Sequence, residues 1–302
     1  MKENIKIAFE EHFSTLKVKL FILSFLLIIF IQLLYITEKN INPKYQKDDL
    51  TLVSAYYRIK SKHSNESYLN WINNIVLLNK SFVFFTNKEF MPTLKKLRPK
   101  ELYYKTIFIQ LEIEEFYSYK NFYKDFIHAF EIDIENKYHS VPLYIVWSEK
   151  CTFLKKVIQK NYFHSKCFYW IDAGYFREEK FKMKKYLDKW PSTGKCYEDK
   201  RLLLGQVKYF SNSFKEKIIK FDNNAHHMLQ NNINVAAGLF GGQIKNTLKF
   251  IDLYYNAIKL FIKHKIFIGK EQNIFTFIAF AHPDVVNLVL CKTYYDFKAS
   301  LA

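Results

Sequence analysis

The amino-acid sequence predicts an α/β domain with a mostly parallel central sheet flanked by helices. Short apolar runs rich in β-branched and aromatic residues alternate along the chain with longer segments of helical periodicity. One run, SFVFFTN at residues 81–87, is apolar on both faces, which is typical of a buried strand in a parallel sheet. Strands that alternate with helices in this way indicate an α/β fold.

The first elements of the domain read as strand, helix and strand. TLVSAYY at 51–57 is a short β-rich run, and the apolar residues between Ser67 and Asn79 follow helical spacing. Together with residues 81–87 they form a βαβ unit of ordinary length. Residues 103–113 are apolar and fit either a strand or a helix.

The second half of the chain continues the alternation. Its predicted elements are a helix at 141–163, a strand at 166–177, a small-residue strand at 232–242, a helix at 247–265, and a segment at 270–290 that begins polar, becomes helical and breaks at Pro283. No internal repeat or flexible linker follows Asp49, so we expect one domain over 50–302. Ligands of such sheets bind at the carboxyl ends of strands, and this selects the polar residues to consider.

An uncharged apolar segment precedes the domain, from about Leu20 to Ile36. Its length is at the lower limit for a helix that spans a bilayer, about 17–25 residues. We interpret it as an uncleaved transmembrane signal anchor that follows a short tail at 1–19 and precedes a polar stem at 37–49. A cleaved signal peptide is the alternative, although no small-x-small cleavage site follows.

Lysines are slightly more frequent before this segment than after it, and the whole domain follows it. Both observations favour a single-pass type II membrane protein with its domain on the luminal or extracytoplasmic side. The net charge of +17 is compatible with an anionic partner. The lysines are scattered rather than striped and no nucleic-acid motif occurs, so we expect no nucleic acid among the partners.

The four cysteines have no CxxC spacing, which argues against structural zinc. Cys151, Cys167 and Cys291 lie in apolar surroundings and are expected to be buried thiols. Cys196, in STGKCYEDK, reads as a more exposed loop residue. If the domain lies outside the cytosol, a disulfide between Cys167 and Cys196 is an alternative that the sequence leaves undecided.

Asp172, in WIDAG, is the strongest candidate for chemistry. It follows an apolar strand and precedes Gly174, so its carboxylate is well placed at the carboxyl end of that strand to hold a divalent cation and, through it, a diphosphate. The alternative is that Asp172 caps the following turn. Lys150, in WSEK, is a candidate phosphate contact, and a solvated lysine is the simpler alternative.

Two further groups of residues are candidates. In AAGLFGG, Gly238 and Gly241 would let a substrate approach the backbone closely, although this fragment alone favours a tight turn or bulge. Glu271 and Gln272 begin a predicted helix and would bind sugar hydroxyls, with Glu271 as a possible general base; helix N-terminal chemistry is the alternative. His282 is a candidate metal ligand or a structural histidine. No G-x-S-x-G, H-E-x-x-H or P-loop is present.

Taken in order, TLVSAYY, NWINN, FVFFTN, VWSEK, FYWIDAGYFR, NVAAGLFGG and KEQ resemble the HtrL/YibB-like family of glycosyltransferases over about residues 51–290. The resemblance implies a GT-A-like fold that binds a nucleotide-sugar. Asp172 then matches the metal-binding DxD motif of GT-A enzymes, but Gly174 replaces the second carboxylate and another ligand such as His282 would be required. Ala237 and Gly238 match the acceptor-side strand.

The resemblance also implies that Glu271 and Gln272 face the sugar, and that residues 51–57, Tyr56 among them, line the nucleotide base. The expected function is transfer of a sugar from a nucleotide-sugar to a glycan or glycoconjugate, with Mn²⁺ or Mg²⁺ as cofactor. One alternative is a catalytically degenerate membrane protein that binds a glycan or a protein with the same fold. Another is a membrane protein that binds anionic lipid through its basic surface.

Overall fold

The computed structural model describes residues 23–24, 26–27, 47–230, 232 and 234–302. The chain forms two units, residues 1–46 and residues 47–302. Most of the predicted anchor at 20–36 lies outside the described residues, although Leu23, Ser24, Leu26 and Leu27 are helical. Within the described part of the chain, no helix combines the length and apolar character that crossing a membrane requires.

The second unit is a seven-stranded sheet flanked by helices. Its strands are β1 (Leu50–Tyr56), β2 (Ser81–Thr86), β3 (Thr106–Gln110), β4 (Cys167–Ile171), β5 (Leu202–Gln206), β6 (Val235–Gln243) and β7 (Val286–Leu290). Its helices are α1 (Asn65–Ile75), α2 (Met91–Leu97), α3 (Tyr117–Glu131), α4 (Val141–Lys160), α5 (Gly194–Glu198), α6 (Asn212–Ile219), α7 (Asn223–Gln230), α8 (Ile244–Lys263) and α9 (Glu271–Ala281).

The strand order is β3-β2-β1-β4-β6-β5-β7. Strands β3, β2, β1 and β4 are parallel, β6 is antiparallel to both of its neighbours, and β5 and β7 are parallel. The predicted α/β fold with a mostly parallel sheet is therefore confirmed. Because β1 and β4 are adjacent and parallel, their carboxyl ends meet at one edge of the sheet.

The sequence pattern missed two strands and resolved a third only in part. The sequence predicts no element in the region of β5, and β7 lies in the segment predicted to become helical and to break at Pro283. β5 follows a Lys-rich stretch, and β7 continues the apolar pattern of the segment at 270–290, so neither is marked off as a separate strand. The ambiguous residues 103–113 contain the end of a 3₁₀ turn followed by β3.

The domain begins slightly before the predicted boundary at residue 50. Asp48 accepts hydrogen bonds from the backbone N–H groups of Leu50 (3.3 Å) and Ser81 (3.2 Å). It thereby joins the start of β1 to the start of β2. The last residues of the predicted stem at 37–49 consequently belong to the compact unit, which starts at Lys47.

Helix α4 is held firmly against the sheet and against α3. Phe153 stacks on Phe85 (4.4 Å between centroids) and lies parallel to Trp170 (5.9 Å). The buried carboxylate of Glu149 accepts hydrogen bonds from the first backbone N–H groups of α3, those of Tyr117 (3.1 Å) and Ser118 (2.8 Å), which is N-terminal capping supplied from another helix. These contacts fix the position of the residue that follows Glu149 in α4.

A disulfide joins Cys167 at the start of β4 to Cys196 in α5. Two expectations are corrected, because Cys196 is fully buried rather than exposed and Cys167 is not a free thiol. Tertiary packing brings α5 against the sheet, which a loop-like local sequence does not reveal. Cys151 and Cys291 are buried free thiols, as predicted.

Candidate active site

A cleft of about 690 Å³ opens where the carboxyl ends of β1 and β4 meet. The first half of α4 and the start of α9 form its other walls, together with the loop that follows β1. Six of the predicted site residues line it: Tyr56, Lys150, Asp172, Gly174, Glu271 and Gln272. The sheet topology thus brings together residues that lie far apart in the chain.

Lys150 is at the centre of the cleft floor. Its Nζ lies 2.7 Å from Oδ1 and 3.0 Å from Oδ2 of Asp172, and 2.7 Å from Oε1 of Glu271. The backbone oxygen of Ala237 is 3.5 Å away. The expectation of a solvated lysine is therefore wrong: Lys150 is buried because α4 packs flat on the sheet and two carboxylates satisfy its charge.

Burial and neighbouring charges shift the pKa values of Lys150 and Glu271. Burial by itself would lower the pKa of Lys150, but the carboxylates of Asp172 and Glu271 outweigh it and raise that pKa above its ordinary value. Burial raises the pKa of Glu271, and the nearby Lys150 ammonium opposes this rise. The cluster holds one ammonium and two carboxylates, and a raised carboxylate pKa is what a general base at neutral pH requires.

The Asp172 side chain does not cap the turn that follows it. Its Oδ1 also accepts a hydrogen bond from Nε1 of Trp170 (2.7 Å), and the turn is closed instead by its backbone oxygen, which accepts from the N–H of Tyr175 (3.0 Å). The N–H of Asp172 donates to the carbonyl of Gly238 on β6 (2.7 Å). The carboxylate, with 29 % of its side chain exposed, faces the cleft from a fixed position.

Gly238 lies directly beneath the cluster. A Cβ at this position would lie 2.8 Å from Oη of Tyr294 and 3.0 Å from Oδ2 of Asp172, both closer than carbon normally approaches. The residue therefore leaves the room that the Asp172 carboxylate occupies. The prediction that Gly238 lets another group approach the backbone closely has a physical reason. The groups that approach are the side chains of Asp172 and Tyr294, whereas the prediction was a substrate.

The other two candidate glycines serve packing. Gly174 lines the cleft, and a Cβ there would meet the ring of Trp71 at 2.9 Å. Gly241 pairs with Tyr169 across β4 and β6 and has φ +158°, and a Cβ would lie 2.1 Å from the carbonyl oxygen of Phe168. Gly241 is thus required for strand pairing and does not line the cleft, in contrast to the prediction of a substrate contact.

Only part of the segment 51–57, which was predicted to line a nucleotide base, reaches the cleft. Ala55, Tyr56 and Tyr57 line the cleft, whereas Thr51 lies at the opposite end of β1 and hydrogen-bonds to Ser165. Only the carboxyl end of a strand reaches this edge, because each residue advances the chain by about 3.3 Å.

His282 lies too far from Asp172 to share a metal ion with it. It caps the carboxyl end of α9, the helix that begins at Glu271. At ~1.5 Å per residue, that end is about 16 Å along the axis from the cleft. The prediction of His282 as a second metal ligand is therefore wrong. Helix α9 runs from Glu271 to Ala281 and places His282 at the end distant from the cleft.

The residues of the cleft do not fit the predicted Mn²⁺ or Mg²⁺ site. Both Asp172 oxygens and one Glu271 oxygen already contact the Lys150 ammonium, which occupies the space between the carboxylates. A divalent cation there would be repelled by that ammonium. Among the residues that the structure describes, no cluster of three or more His, Cys, Asp or Glu side chains is arranged to hold a metal.

Sequence reasoning missed an aspartate–histidine pair on the α4 side of the cleft. The Nδ1–H of His139, which lines the cleft, donates to Oδ2 of the buried Asp133 (2.6 Å), and the hydroxyl of Tyr144 donates to the same carboxylate. Burial would raise the pKa of Asp133, but these two hydrogen bonds lower it to about 2. EIDIENKYHS carries no motif that would have revealed the pair.

It also missed a basic rim at the mouth of the cleft, formed by Lys62, His63 and Arg177. Arg177 follows the WIDAG turn, and the other two lie in the loop after β1. Arginine placed just after a strand-end carboxylate was a usable signal, but the scattered lysines of this chain obscured it.

The fold and the cleft define an α/β protein with a candidate ligand site at the carboxyl edge of its sheet. The chain belongs to the HtrL_YibB family, described as a bacterial protein of unknown function, whose model matches residues 48–300. The predicted family is thereby confirmed, whereas its enzymatic activity is a matter for proposal. No curated protein matches the chain.

Proposed function

We propose that this chain is a membrane-anchored glycosyltransferase that moves a sugar from a nucleotide-sugar to a glycan or glycoconjugate. The observation that carries the proposal is the buried Asp172–Lys150–Glu271 cluster on the floor of a cleft at the carboxyl ends of β1 and β4. Sugars are polyols, and paired carboxylates beside aromatic rings suit both their hydroxyls and their apolar faces. Tyr56 and Trp147 are among the rings that line the cleft.

Glu271 and Lys150 of the cluster, and Gln272 beside it, have distinct roles in this proposal. Glu271, with its raised pKa, accepts a hydrogen bond from a sugar hydroxyl or takes the proton from the acceptor hydroxyl that attacks the donor. Lys150 holds Glu271 and Asp172 in position. Gln272, next to Glu271 at the start of α9, contributes a further polar contact to the sugar.

His139 is a second candidate for the base. Asp133 fixes its orientation through Nδ1, an arrangement that supports a histidine acting through its other ring nitrogen. Since Glu271 and His139 both line the cleft, substitution distinguishes them. Loss of the true base should lower kcat by roughly 100-fold or more, whereas loss of a binding contact should mainly raise KM.

The disulfide supports the predicted side of the membrane. A bridge such as Cys167–Cys196 persists in oxidising compartments and is rare in the cytosol. We therefore propose that residues 20–36 anchor the chain as a type II membrane protein and that the domain lies on the extracytoplasmic side. Glycoconjugate acceptors at a membrane surface suit such a tether.

The test is release of nucleoside diphosphate by the full-length chain in detergent, with a panel of nucleotide-sugars and with glycan acceptors. We expect one donor to be turned over and Asp172→Asn and Glu271→Gln to abolish turnover while keeping the thermal unfolding transition. Asp252→Asn removes a carboxylate from an exposed pair with Lys155 and should leave turnover unchanged.

Two outcomes would overturn the proposal. Absence of both turnover and thermal stabilisation across the panel, with an intact fold, would exclude nucleotide-sugars as ligands. Glycan binding without turnover would instead favour the degenerate, glycan-binding alternative. Because the cluster does not fit the Mn²⁺ or Mg²⁺ that the resemblance implies, we expect turnover to persist when EDTA is added to the same assay.

A further inference from the structure

Among the residues that the structure describes, the two cations of the basic rim differ from the other cations of the cleft in having no carboxylate partner. Four lysines and arginines line the cleft: Lys62, Lys150, Arg177 and Lys270. Lys150 is paired with Asp172 and Glu271, and Lys270 with Glu135. Among the described residues, no ion pair is formed by Lys62 or Arg177.

Arg177 is nevertheless held in one place. Its guanidinium carbon lies 4.0 Å from the ring centroid of Trp71 and 4.7 Å from that of Tyr295. Its Nε donates to the carbonyl of Gly174 (3.1 Å). A guanidinium fixed by aromatic rings keeps its remaining in-plane N–H donors for a planar or tetrahedral anion.

His63 contributes a neutral acceptor to the rim. The Nη1 of Arg177 donates to Nε2 of His63 (3.2 Å), and the imidazole packs edge-on against Trp71 (4.9 Å). Burial, followed by the charges of Arg177 and Lys62, lowers the pKa of His63. A neutral imidazole can accept this hydrogen bond, so the rim orients Arg177 without neutralising its charge.

The floor and the mouth of the cleft therefore differ in charge. The floor cluster holds one ammonium and two carboxylates, while the rim holds two cations that form no ion pair within the described part of the chain. A nucleotide-sugar has the same division: a sugar that needs acceptors for its hydroxyls, and a diphosphate that needs positive charge. The ammonium of Lys150 is buried and fully engaged, so it is not available to the diphosphate.

We infer that Arg177 and Lys62 form the diphosphate subsite of this cleft and bind the diphosphate without a divalent metal. The inference rests on the proposed function for the identity of the donor, but it concerns the anion alone. Arginine matches phosphate oxygens with two parallel donors, and a lysine adds a point charge. Arg177 and Lys62 thus supply the positive charge that a metal ion would otherwise supply to the diphosphate.

The test is binding of inorganic pyrophosphate and of uridine diphosphate in the presence of EDTA, measured by calorimetry on the full-length chain. We expect binding that weakens as salt rises, because exposed charges are screened. Arg177→Gln should weaken it roughly tenfold or more, and Lys62→Gln by a smaller factor, since hydrogen bonds to charged groups are the stronger ones.

Arg58→Gln is the matched control. Arg58 lies in the same loop after β1 but is already paired with Glu89 (3.1 Å), so its loss should change pyrophosphate affinity less than about twofold. Lys62 is exposed, so Lys62→Gln tests the inference even if Arg177→Gln disturbs the packing on Trp71.

Binding that requires Mn²⁺ and is unchanged in both rim variants would overturn the inference. Equal losses in Arg58→Gln and Arg177→Gln would also overturn it, because they would reveal a general charge effect. Pyrophosphate binding with the expected pattern, but no turnover of any nucleotide-sugar, would leave the subsite standing and refute the glycosyltransferase proposal. The two failures are therefore distinguishable.

Discussion

Lys150 Nζ and Glu271 Oε1 lie 2.7 Å apart although 121 positions separate them in the chain. The ammonium is contributed by α4 and the carboxylate by the first residue of α9. Asp172, at the end of β4, completes the cluster from a third element. Removing a member of such a buried cluster leaves its partners without compensation, and this makes the cluster open to test.

Lys150→Met should lower the free energy of unfolding by about 3–5 kcal/mol, because it leaves two carboxylates without their shared counter-ion. Urea unfolding measures this. Lys155→Met is the control on the same helix: its pair with Asp252 is also 2.7 Å long but exposed, and its loss should cost less than about 1 kcal/mol. Adding Glu271→Gln to Lys150→Met should recover part of the lost free energy of unfolding, because one uncompensated carboxylate is removed. Equal stability of Lys150→Met and Lys155→Met would contradict the prediction.

Asp133→Asn should make the protein less stable at neutral pH by about 2 kcal/mol, which corresponds to a fall in pKa from 3.8 to about 2. The group's folded pKa is lowered, so its contribution is present above the unfolded value near 3.8 and is lost as the pH falls through about 2. Unfolding of both proteins at pH 7 and near pH 2 measures this. A stability difference that does not shrink on acidification would contradict the assignment.

Cys167→Ala with Cys196→Ala should lower the free energy of unfolding by about 3–4 kcal/mol, as expected for a bridge across a sequence separation of 29 residues. A reducing agent should lower the wild-type stability and leave the double variant unchanged. Cys151→Ala is the control for loss of a buried thiol without a bridge. Wild-type stability that is insensitive to reduction would argue against the disulfide.

Gly238→Ala should impair ligand binding more than it impairs folding. The new methyl group would displace the Asp172 carboxylate or the Tyr294 hydroxyl, which would lie 3.0 Å and 2.8 Å away. Gly194→Ala is the control, since its nearest neighbour would be 3.7 Å away, an ordinary contact. Thermal unfolding and nucleotide-sugar binding of the two variants measure the difference. Unchanged nucleotide-sugar binding in Gly238→Ala would contradict this expectation.

Several features of the site could be read from local sequence. Asp172 follows five apolar residues and precedes a glycine, so its place at the end of a buried strand was predictable. Glu271 begins a helix for the same kind of local reason. By contrast, Lys150 looked like an ordinary helix surface residue, because its burial depends on the sheet beneath α4 and on partners 22 and 121 positions away.

The sequence by itself determined the α/β class, most of the strands, the apolar segment at 20–36 and the family, because periodicity, apolar runs and local motifs are properties of neighbouring residues. Only the tertiary structure decided that Lys150 lies between Asp172 and Glu271, that His282 lies far from both, and that Lys62 and Arg177 share one rim. The physical reason is that charge pairing acts through space. The partners of a charged side chain depend on which strand ends and helix starts lie next to each other in the fold, and the spacing of neighbouring residues does not contain that information.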